Sequence, residues 1–468
     1  MGLTSTGIKN NTKTETSITV PSDEDEVTYC IYPKAKAAEN HEFKYKEVTT
    51  TQYGELETLL GDEINTIDSL VVNGPINYAD CHFILKASVE SYLTVLNLAG
   101  AEIYAKTIPA GAFYSPQNQQ DGDKFYLSQL RRIILPNDVK RIGSEAFKST
   151  RLLKQINFPT ALHSIGEFAF TGCGITMNPL VLPEGLEEIE YSAFMNCRGF
   201  QEVKLPSSLK KLAHYAFSQT DIKTLSLSEN LEDIGYLSFG YTKLQELSIP
   251  NSSIGFNDLG SQFAMNSDLK KVYLGEGMIE IPNNFLYLDT ALVEINIPHS
   301  VKHIGEGAFN FCWSIKSLEL PLGVESIKKD ALGYMSALEQ LVLPASVKTL
   351  GQSCCEQLNS LKRLYCAATE PPVCVNDLVF VSDFDPANPP TVYIPKGTKE
   401  KYENATGWKY FMNFVEIDSS EFPATAIDRT AITEAKNVEE TLYDLTGRKV
   451  EEPQKGHIYI SKGKKVVF

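Results

Sequence analysis

A short apolar phrase returns along most of this chain at an almost constant interval, and this periodicity limits the possible folds more than any other feature. The phrase places apolar residues at its first, fourth and sixth positions and often ends in proline, as in LRRIILP at 130–136. The proline column contains Pro136, Pro159, Pro183, Pro206, Ser228, Pro250, Gly275, Pro298, Pro321 and Pro344. Successive members are 23, 24, 23, 22, 22, 25, 23, 23 and 23 residues apart. Such a regular period predicts a solenoid of stacked repeats.

The phrases of each repeat predict its local structure. In the first phrase, alternating apolar positions predict one short parallel strand with a buried face, and the proline ends the strand because it has no N–H to donate. An Ile-Gly pair and an Ala-Phe pair follow, as in IGSEAF at 142–147 and IGEGAF at 304–309. We expect Ile-Gly to turn the chain and Ala-Phe, on a short helical turn, to place a ring in the core. No repeat buries its apolar face alone, so the core grows by stacking.

A column of small residues lies three positions after the phenylalanine column. Its members are Thr150, Cys173, Cys197, Thr220, Thr242 and Cys312. A redox or metal cluster is one interpretation, but threonine supplies no thiolate, and a ladder of small residues facing the core fits better. The chain has nine cysteines and no CxxC pair. We therefore expect these cysteines to be reduced and buried rather than paired or bound to zinc.

The segments outside the regular repeat predict caps, since an exposed end repeat would leave apolar surface and free strand edges in water. Strands at 391–395 and 414–417 are expected to flank a helix at 399–408, and a helix is expected around 52–61. The predicted parts are an N-terminal cap at 1–66, the solenoid at 67–366, a C-terminal cap at 367–420, and a linker with a small β-module at 421–468. A polar insertion at 114–125 is either a binding loop or a tolerated surface loop.

Composition excludes some classes of function. The net charge of −16 argues against a nucleic-acid partner, because phosphate binding needs a basic face. No run of about 18 apolar residues is present, so we expect no transmembrane helix. The polar start from Met1 to Ser5 has no apolar segment typical of a signal peptide. A cytosolic protein and a trimmed mature form both remain open from composition.

The repeat unit LxxIxLPxxVxxIGxxAFxxC resembles the BspA-like leucine-rich repeats of Bacteroidetes and some other mucosal microbes. The resemblance covers roughly residues 67–417 and is carried by the proline after the strand and by the IGxxAF step. Residues 54–80 resemble the N-terminal caps of such proteins, and residues 441–468 resemble C-terminal modules of exported Bacteroidetes proteins. We therefore expect an α/β fold: a right-handed, horseshoe-like leucine-rich repeat solenoid with an N-terminal cap and C-terminal β-rich modules.

The resemblance also implies a location and a general role. It implies a secreted or surface-exposed protein, with its export signal trimmed, that binds host or microbial macromolecules. The family has no invariant binding residues, so the resemblance carries over no site.

Motifs for catalysis are lacking in the sequence. There is no HExxH, no GxSxG and no Walker loop. His299 and His303 are four residues apart, but they straddle the turn after Pro298 and have no evident third ligand. Acidic pairs such as Glu187-Glu188 are typical of a solvated face. The two carboxylates of a glycosidase are defined by their distance in the folded protein, so the sequence does not exclude such a pair. We expect no enzyme activity, no cofactor and no metal.

A binding surface is predicted from the variable positions of the strand phrase, which form the exposed, concave face of the sheet. About ten strands at ~4.8 Å give a face of roughly 50 Å. Its N-terminal half is mostly small or aliphatic, and its C-terminal half carries cations and tyrosines, which are frequent in interface hot spots. The hypothesised binding residues are Lys270, Lys271, Tyr273, Asn296, Lys316, Glu319, Lys362, Arg363 and Tyr365. An ordinary solvated sheet face is the alternative.

The function expected from these features is an adhesin-like, monomeric protein that binds a protein or glycan macromolecule, such as host matrix or mucin. A surface glycan-binding or structural component of the cell envelope is the alternative. An aromatic platform on the concave face would favour a glycan, whereas a mixed charged and polar face would favour a protein.

Overall fold

The structure is a computed structural model that describes the main chain and side chains of residues 42–114, 128–250, 254–256 and 259–427. Outside these ranges it gives the main chain of eight short strands. These are Thr16–Pro21, Glu26–Ile31, Gln120–Asp121, Lys124–Phe125, Leu442–Tyr443, Lys449–Val450, Ile458–Ser461 and Lys464–Val467. The strands in each pair or group are antiparallel.

The strand phrases stack in parallel and confirm the predicted solenoid. Residues pair in one register from repeat to repeat, as Leu225 does with Val203. Within Lys271–Leu274, Val272 and Leu274 are buried and Lys271 is exposed. The strands of this first column are Tyr45–Thr49, Ser69–Ile76, Val95–Asn97, Arg132–Ile134, Gln155–Ile156, Leu180–Val181, Glu202–Lys204, Thr224–Ser226, Glu246–Ile249, Lys271–Leu274, Glu294–Asn296, Ser317–Glu319, Gln340–Leu343, Arg363–Cys366, Thr391–Pro395 and Phe414–Ile417. Their solvent-exposed side is called the sheet face below.

The first column is divided into three sheets. Pairing is interrupted between Gln155–Ile156 and Leu180–Val181, and again between Glu294–Asn296 and Ser317–Glu319. Each interruption follows a repeat with asparagine at the fifth position of its strand phrase. The amide of Asn296 accepts from Leu274 N at 2.7 Å and donates to Leu274 O at 3.0 Å. Asn157 makes the same two bonds to Leu135, at 2.6 and 2.9 Å.

A second column of two-residue strands follows the first, so each repeat carries two strands and the predicted single strand was incomplete. Two-residue strands are too short to produce the alternation that identifies a strand in sequence. They are Thr107–Ile108, Arg141–Ile142, Ser164–Ile165, Glu188–Ile189, Lys211–Leu212, Asp233–Ile234, Gly255–Phe256, Glu280–Ile281, His303–Ile304, Ser326–Ile327, Thr349–Leu350 and Val373–Cys374. One further strand, Ala101–Ile103, pairs with Ser69–Ile76.

The Ala-Phe step lies on tight turns, and the predicted helical turn at this position is wrong. In the repeat of Phe147, the residues Glu145 and Ser149 have φ of 58° and 61°. Left-handed residues at these points direct the N–H groups of Glu145, Phe147 and Ser149 to carbonyls of the next repeat, at 2.8, 2.7 and 2.7 Å. A helix would instead direct these donors along its own axis. The turn side is therefore also bonded from repeat to repeat.

Helices occur only near the two ends of the described chain. The α-helices are Leu56–Leu60, Tyr78–Glu90 and Lys399–Asn404, and the 3-10 helices are Gly61–Thr66, Tyr104–Lys106, Trp408–Tyr410 and Ser419–Glu421. Asn77 and Asp80 form a capping box at the start of Tyr78–Glu90. Near the C-terminal end, Trp408 is fully buried and donates from Nε1 to Pro372 O at 2.9 Å. No helix in the described ranges has the length and apolar character needed to cross a bilayer.

The phenylalanine column forms the centre of the core. Its rings are fully buried and stack nearly parallel along the solenoid, with neighbouring centroids 5.0 to 5.5 Å apart between Phe113 and Phe263. The small-residue ladder packs beside it. Cys173 and Cys197 donate from Sγ to the carbonyls of Phe147 and Phe170, at 2.8 and 2.9 Å. These contacts support the structural interpretation of that ladder.

The cysteines in the described ranges are free and buried, and they number eight. Burial raises the pKa of the Cys197 thiol to about 12, so it stays protonated and unreactive. The ninth cysteine, Cys30, lies outside the described side chains.

Asp289 is the one charged-type residue in the small-residue ladder among the described repeats. It is completely buried and accepts a hydrogen bond from Asn266 N at 2.7 Å through Oδ1. Burial raises the pKa of this carboxyl well above its usual range. Asn266, one repeat earlier, shows how a neutral amide fits the column, since its Nδ2 donates to the carbonyls of Phe239 and Phe263.

We expect Asp289→Asn to raise the melting temperature, and to do so more at alkaline than at acidic pH. Because the folded-state pKa of Asp289 is raised, the stability linked to its proton is fully present below the unfolded value. It is lost as pH rises through the raised value. Melting curves of both proteins between about pH 4 and about pH 8 measure the difference. A difference that is constant over this range would contradict the buried, neutral carboxyl.

Candidate binding surface

The first group of predicted binding residues lies together on the sheet face. Lys271 and Tyr273 stand on Lys271–Leu274 and are directly opposite Glu294 and Asn296 of the next strand. Glu294 accepts from the Tyr273 hydroxyl at 3.3 Å and pairs with Lys271 Nζ at 3.3 Å. The hydrogen bond and charge of Glu294 raise the pKa of Lys271. Lys270 is exposed just before this strand.

Glu294 was missed as a site residue, although sequence register could have located it. It occupies the same position of its phrase as Lys271 does one repeat earlier, so parallel pairing brings the two together. Its carboxylate fixes both a cation and a phenol ring. We name Lys271, Tyr273 and Glu294 the Tyr273 patch.

Asn296 has a mainly structural role in this surface. Its amide oxygen and nitrogen are both hydrogen-bonded to the main chain of Leu274. A ligand would have to compete with two bonds that hold the sheet together.

The second group of predicted residues belongs to a different sheet, because Glu294–Asn296 and Ser317–Glu319 are not paired. Lys362 pairs with Glu339 at 2.9 Å, and Arg363 donates from Nε to Gln340 at 2.9 Å. The hydrogen bond from Lys362 lowers the pKa of Glu339, and the charges of Lys316 and Arg363 lower it further. The nine hypothesised residues are therefore divided between two sheets of the first column.

A C-terminal segment covers part of this second group. Residues 417–427, called the strap below, cross the sheet face with Phe422 and Ala426 buried against Val342 and Ala367. The main chain of Ala345 donates to Ala426 O at 2.9 Å, and Thr425 donates to Glu319 Oε2 at 2.9 Å. The sequence predicted a linker from residue 421 onward and gave no sign of this contact.

Tyr365 is consequently less available than its outward position predicts. Its ring stacks on Tyr393 with centroids 4.6 Å apart and meets the edge of Phe422 at 6.4 Å. Burial raises the pKa of its phenol, and so does the neighbouring Tyr393. Tyr365 is half-buried under the strap, in place of the exposed ring predicted from the sequence.

The other candidates from the sequence have ordinary surroundings. His303 shares a hydrogen bond with Ser326 through Nδ1 at 2.8 Å, and His299 N donates to Glu276. Glu187 pairs with Lys210 at 3.2 Å, as on a solvated face. Within the described ranges, no three side chains of the His, Cys, Asp and Glu types are grouped as a metal site. In the insertion predicted at 114–125, the side chains from residue 115 onward lie outside the described residues.

Comparison with known proteins gives one family match and several similar structures. A model of the BspA type leucine-rich repeat region matches in six copies, over residues 121–180, 175–288 and 257–370. A leucine-rich repeat protein from Bacteroides ovatus ATCC 8483 is similar at 21% identity, covering 77% of this chain and 95% of that chain, with a TM-score of 0.52. This similarity shows the fold. No curated protein matches the chain.

Two further solved structures have lower TM-scores. The pneumococcal vaccine antigen PcpA has 20% identity, covers 67% of this chain and 84% of that chain, and has a TM-score of 0.45. A leucine rich cell surface protein from Faecalibacterium prausnitzii A2-165 has 19% identity, covers 53% and 86%, and has a TM-score of 0.31.

Proposed function

The chain belongs to the family with a BspA type leucine-rich repeat region, and from this premise we propose that it is an adhesin-like binding protein without catalytic activity. Its apolar positions are used to build the core, and the positions that vary between repeats lie on the sheet face. Substitutions there change the surface without changing the fold. A stacked scaffold of this kind is suited to binding an extended macromolecule.

The proposed location is outside the cell, either secreted or at the cell surface. Membership of the family supports this location. Host matrix proteins and mucins are the partners that such a location would offer.

The observation that carries the proposed binding role is the Tyr273 patch. Ser226 and Ser248 occupy the same column in the two preceding repeats of the sheet, and both are exposed. Packing therefore does not require a large ring at 273. Tyrosine beside a cation is typical of interface hot spots, and Glu294 holds both groups in place, which lowers the entropy lost on binding. The mixed charge of this patch favours a protein partner.

We expect a variant with Lys271→Ala and Tyr273→Ala to bind its protein partner at least about tenfold more weakly than the wild type. Immobilised matrix proteins and mucin serve as probes, with binding measured by biolayer interferometry. The matched control carries Val181→Ala and Lys204→Ala, two exposed positions in the same column toward the N-terminal end. If the variant of Lys271 and Tyr273 binds as strongly as the wild type, the patch is not the binding site. If the wild type binds none of the probes, the proposed partners are rejected.

A further inference from the structure

The turn side of the solenoid carries a row of large side chains that folding does not require. The last left-handed residue of each turn is Ser149, Gly172 or Asn196 in three N-terminal repeats. Glycine and asparagine adopt positive φ at low cost, whereas bulky residues do so rarely. Five consecutive repeats nevertheless have large residues at this position, with φ between 57° and 66°. They are Tyr241, Met265, Leu288, Phe311 and Tyr334.

These five residues form a continuous row. The N–H of each one donates to a carbonyl of the next repeat, as Met265 does to Tyr287 at 2.8 Å and Leu288 does to Asn310 at 3.0 Å. Four steps at a strand spacing of ~4.8 Å give the row a length of roughly 20 Å. Its ends are solvent-exposed, since Tyr241 is 49% and Tyr334 is 39% exposed.

Further rings widen the row at its C-terminal end. Trp313 is 47% exposed and meets the edge of Phe311 at 6.3 Å. Phe311 also stacks on Tyr334 at 4.6 Å and contacts the edge of Tyr287 at 5.7 Å. Three aromatic rings therefore contact Phe311, and two of them, Trp313 and Tyr334, have large exposed surfaces.

Further aromatic residues lie on the turn side in the repeats that precede the row. Phe168, Tyr191, Tyr215 and Tyr236 lie edge to face in successive repeats, with centroids 5.2, 5.7 and 5.4 Å apart. The row and these rings together are called the aromatic track. Its four N-terminal rings alternate in tilt, so this part of the surface is a series of ring faces and edges.

The charges beside the track do not favour an anionic ligand. Lys148 lies over Phe168 and pairs with Glu145 at 2.7 Å. Near the other end, Lys329 pairs with Asp330 at 3.5 Å and with Glu306 at 3.6 Å. An anionic ligand would find these cations already engaged and would meet a chain of net charge −16. The remaining chemistry consists of ring faces and phenol hydroxyls, and the Tyr334 hydroxyl donates to Glu356 Oε1 at 3.4 Å.

We propose that the aromatic track binds a neutral, extended glycan chain. The C–H faces of sugar rings would stack on Tyr241, Trp313 and Tyr334, and phenol hydroxyls would hydrogen-bond sugar hydroxyls. Rings with an apolar face and a polar tip suit a ligand that is apolar on its faces and polar at its edges. This inference rests on the proposed binding role of the protein but uses a different surface from the Tyr273 patch.

The test is affinity electrophoresis in native gels that contain a soluble mannan, β-glucan, α-glucan or galactan. We expect at least one of these neutral polysaccharides to retard the wild-type protein. A variant with Tyr241→Ala, Trp313→Ala and Tyr334→Ala should then show a dissociation constant about tenfold higher or more. A control with Tyr78→Ala and Tyr104→Ala removes two exposed tyrosines outside the track and should bind as the wild type does.

Several outcomes would overturn the inference. The first is that no polysaccharide retards the wild type, and the second is that the triple variant is retarded as strongly as the wild type. The third applies if the far-ultraviolet circular dichroism of the triple variant shows that it is misfolded: a Trp313→Ala single variant that stays folded and binds as the wild type does would then overturn the inference. Track-dependent binding to chemically deglycosylated mucin would identify a protein ligand instead. The variant of Lys271 and Tyr273 should keep its polysaccharide binding, so failure of the two surfaces can be distinguished.

Discussion

Replacing Phe194 with alanine is expected to destabilise the protein by about 3–5 kcal/mol. Phe194 is fully buried, and its ring stacks between Phe170 at 5.1 Å and Phe217 at 5.0 Å. Both neighbouring repeats pack against the same ring, so the cavity left by alanine removes contacts on its two sides. Neither neighbour can move in to fill it without leaving its own stack.

Urea denaturation followed by circular dichroism measures this loss. Phe168→Ala is the control: Phe168 lies one repeat before Phe194, on the half-buried turn side, where we expect a loss of about 1 kcal/mol. A reduced slope of the transition would indicate that the solenoid unfolds in two parts at the damaged repeat. An unchanged midpoint for Phe194→Ala would show that the ring column does not hold the repeats together.

Periodicity accounts for the parts of the fold that the sequence predicted. The strand phrase, the Phe194 column and the Cys197 ladder each recur at one offset, and each has a physical requirement that few residue types meet. The two-residue strands were not predicted, because strand pairing there needs only one buried residue per repeat, as Ile142 and Ile165 show. That signal is too short to distinguish a strand from a turn.

The candidate surfaces were harder to predict because outward direction alone does not determine exposure. Asn296 points outward yet bonds to the main chain of Leu274, and Tyr365 points outward yet lies beneath Phe422. The contact between Phe422 and Val342 joins residues 80 positions apart and leaves no periodic trace. The aromatic track does have a periodic signal in the sequence. Tyr241 and Phe311 each lie two residues after the phenylalanine column, and Tyr334 lies two residues after Leu332 in the same column.

Replacing Phe422 with alanine is expected to release the strap from the sheet face. Phe422 is 2% exposed and fills a small cluster with Val342, Ala367 and Ala426 that is separate from the main core. We expect a loss of up to about 3 kcal/mol, confined to opening of the strap, because the solenoid does not depend on this cluster. The global unfolding midpoint should therefore stay close to that of the wild type.

Hydrogen exchange measures the opening directly. The N–H of Ala345 donates to Ala426 O at 2.9 Å, so its exchange should become faster when the strap leaves, while Val203 in the distant sheet should be unaffected. Met412→Ala is the control, since Met412 is 94% exposed near the strap. Unchanged exchange at Ala345 would show that Thr425 and the main chain hold the strap without the ring. If Ala345 exchanges faster and Tyr365 becomes accessible, a partner that uses the C-terminal part of the sheet face should bind the Phe422→Ala variant more tightly, because it no longer has to displace the strap.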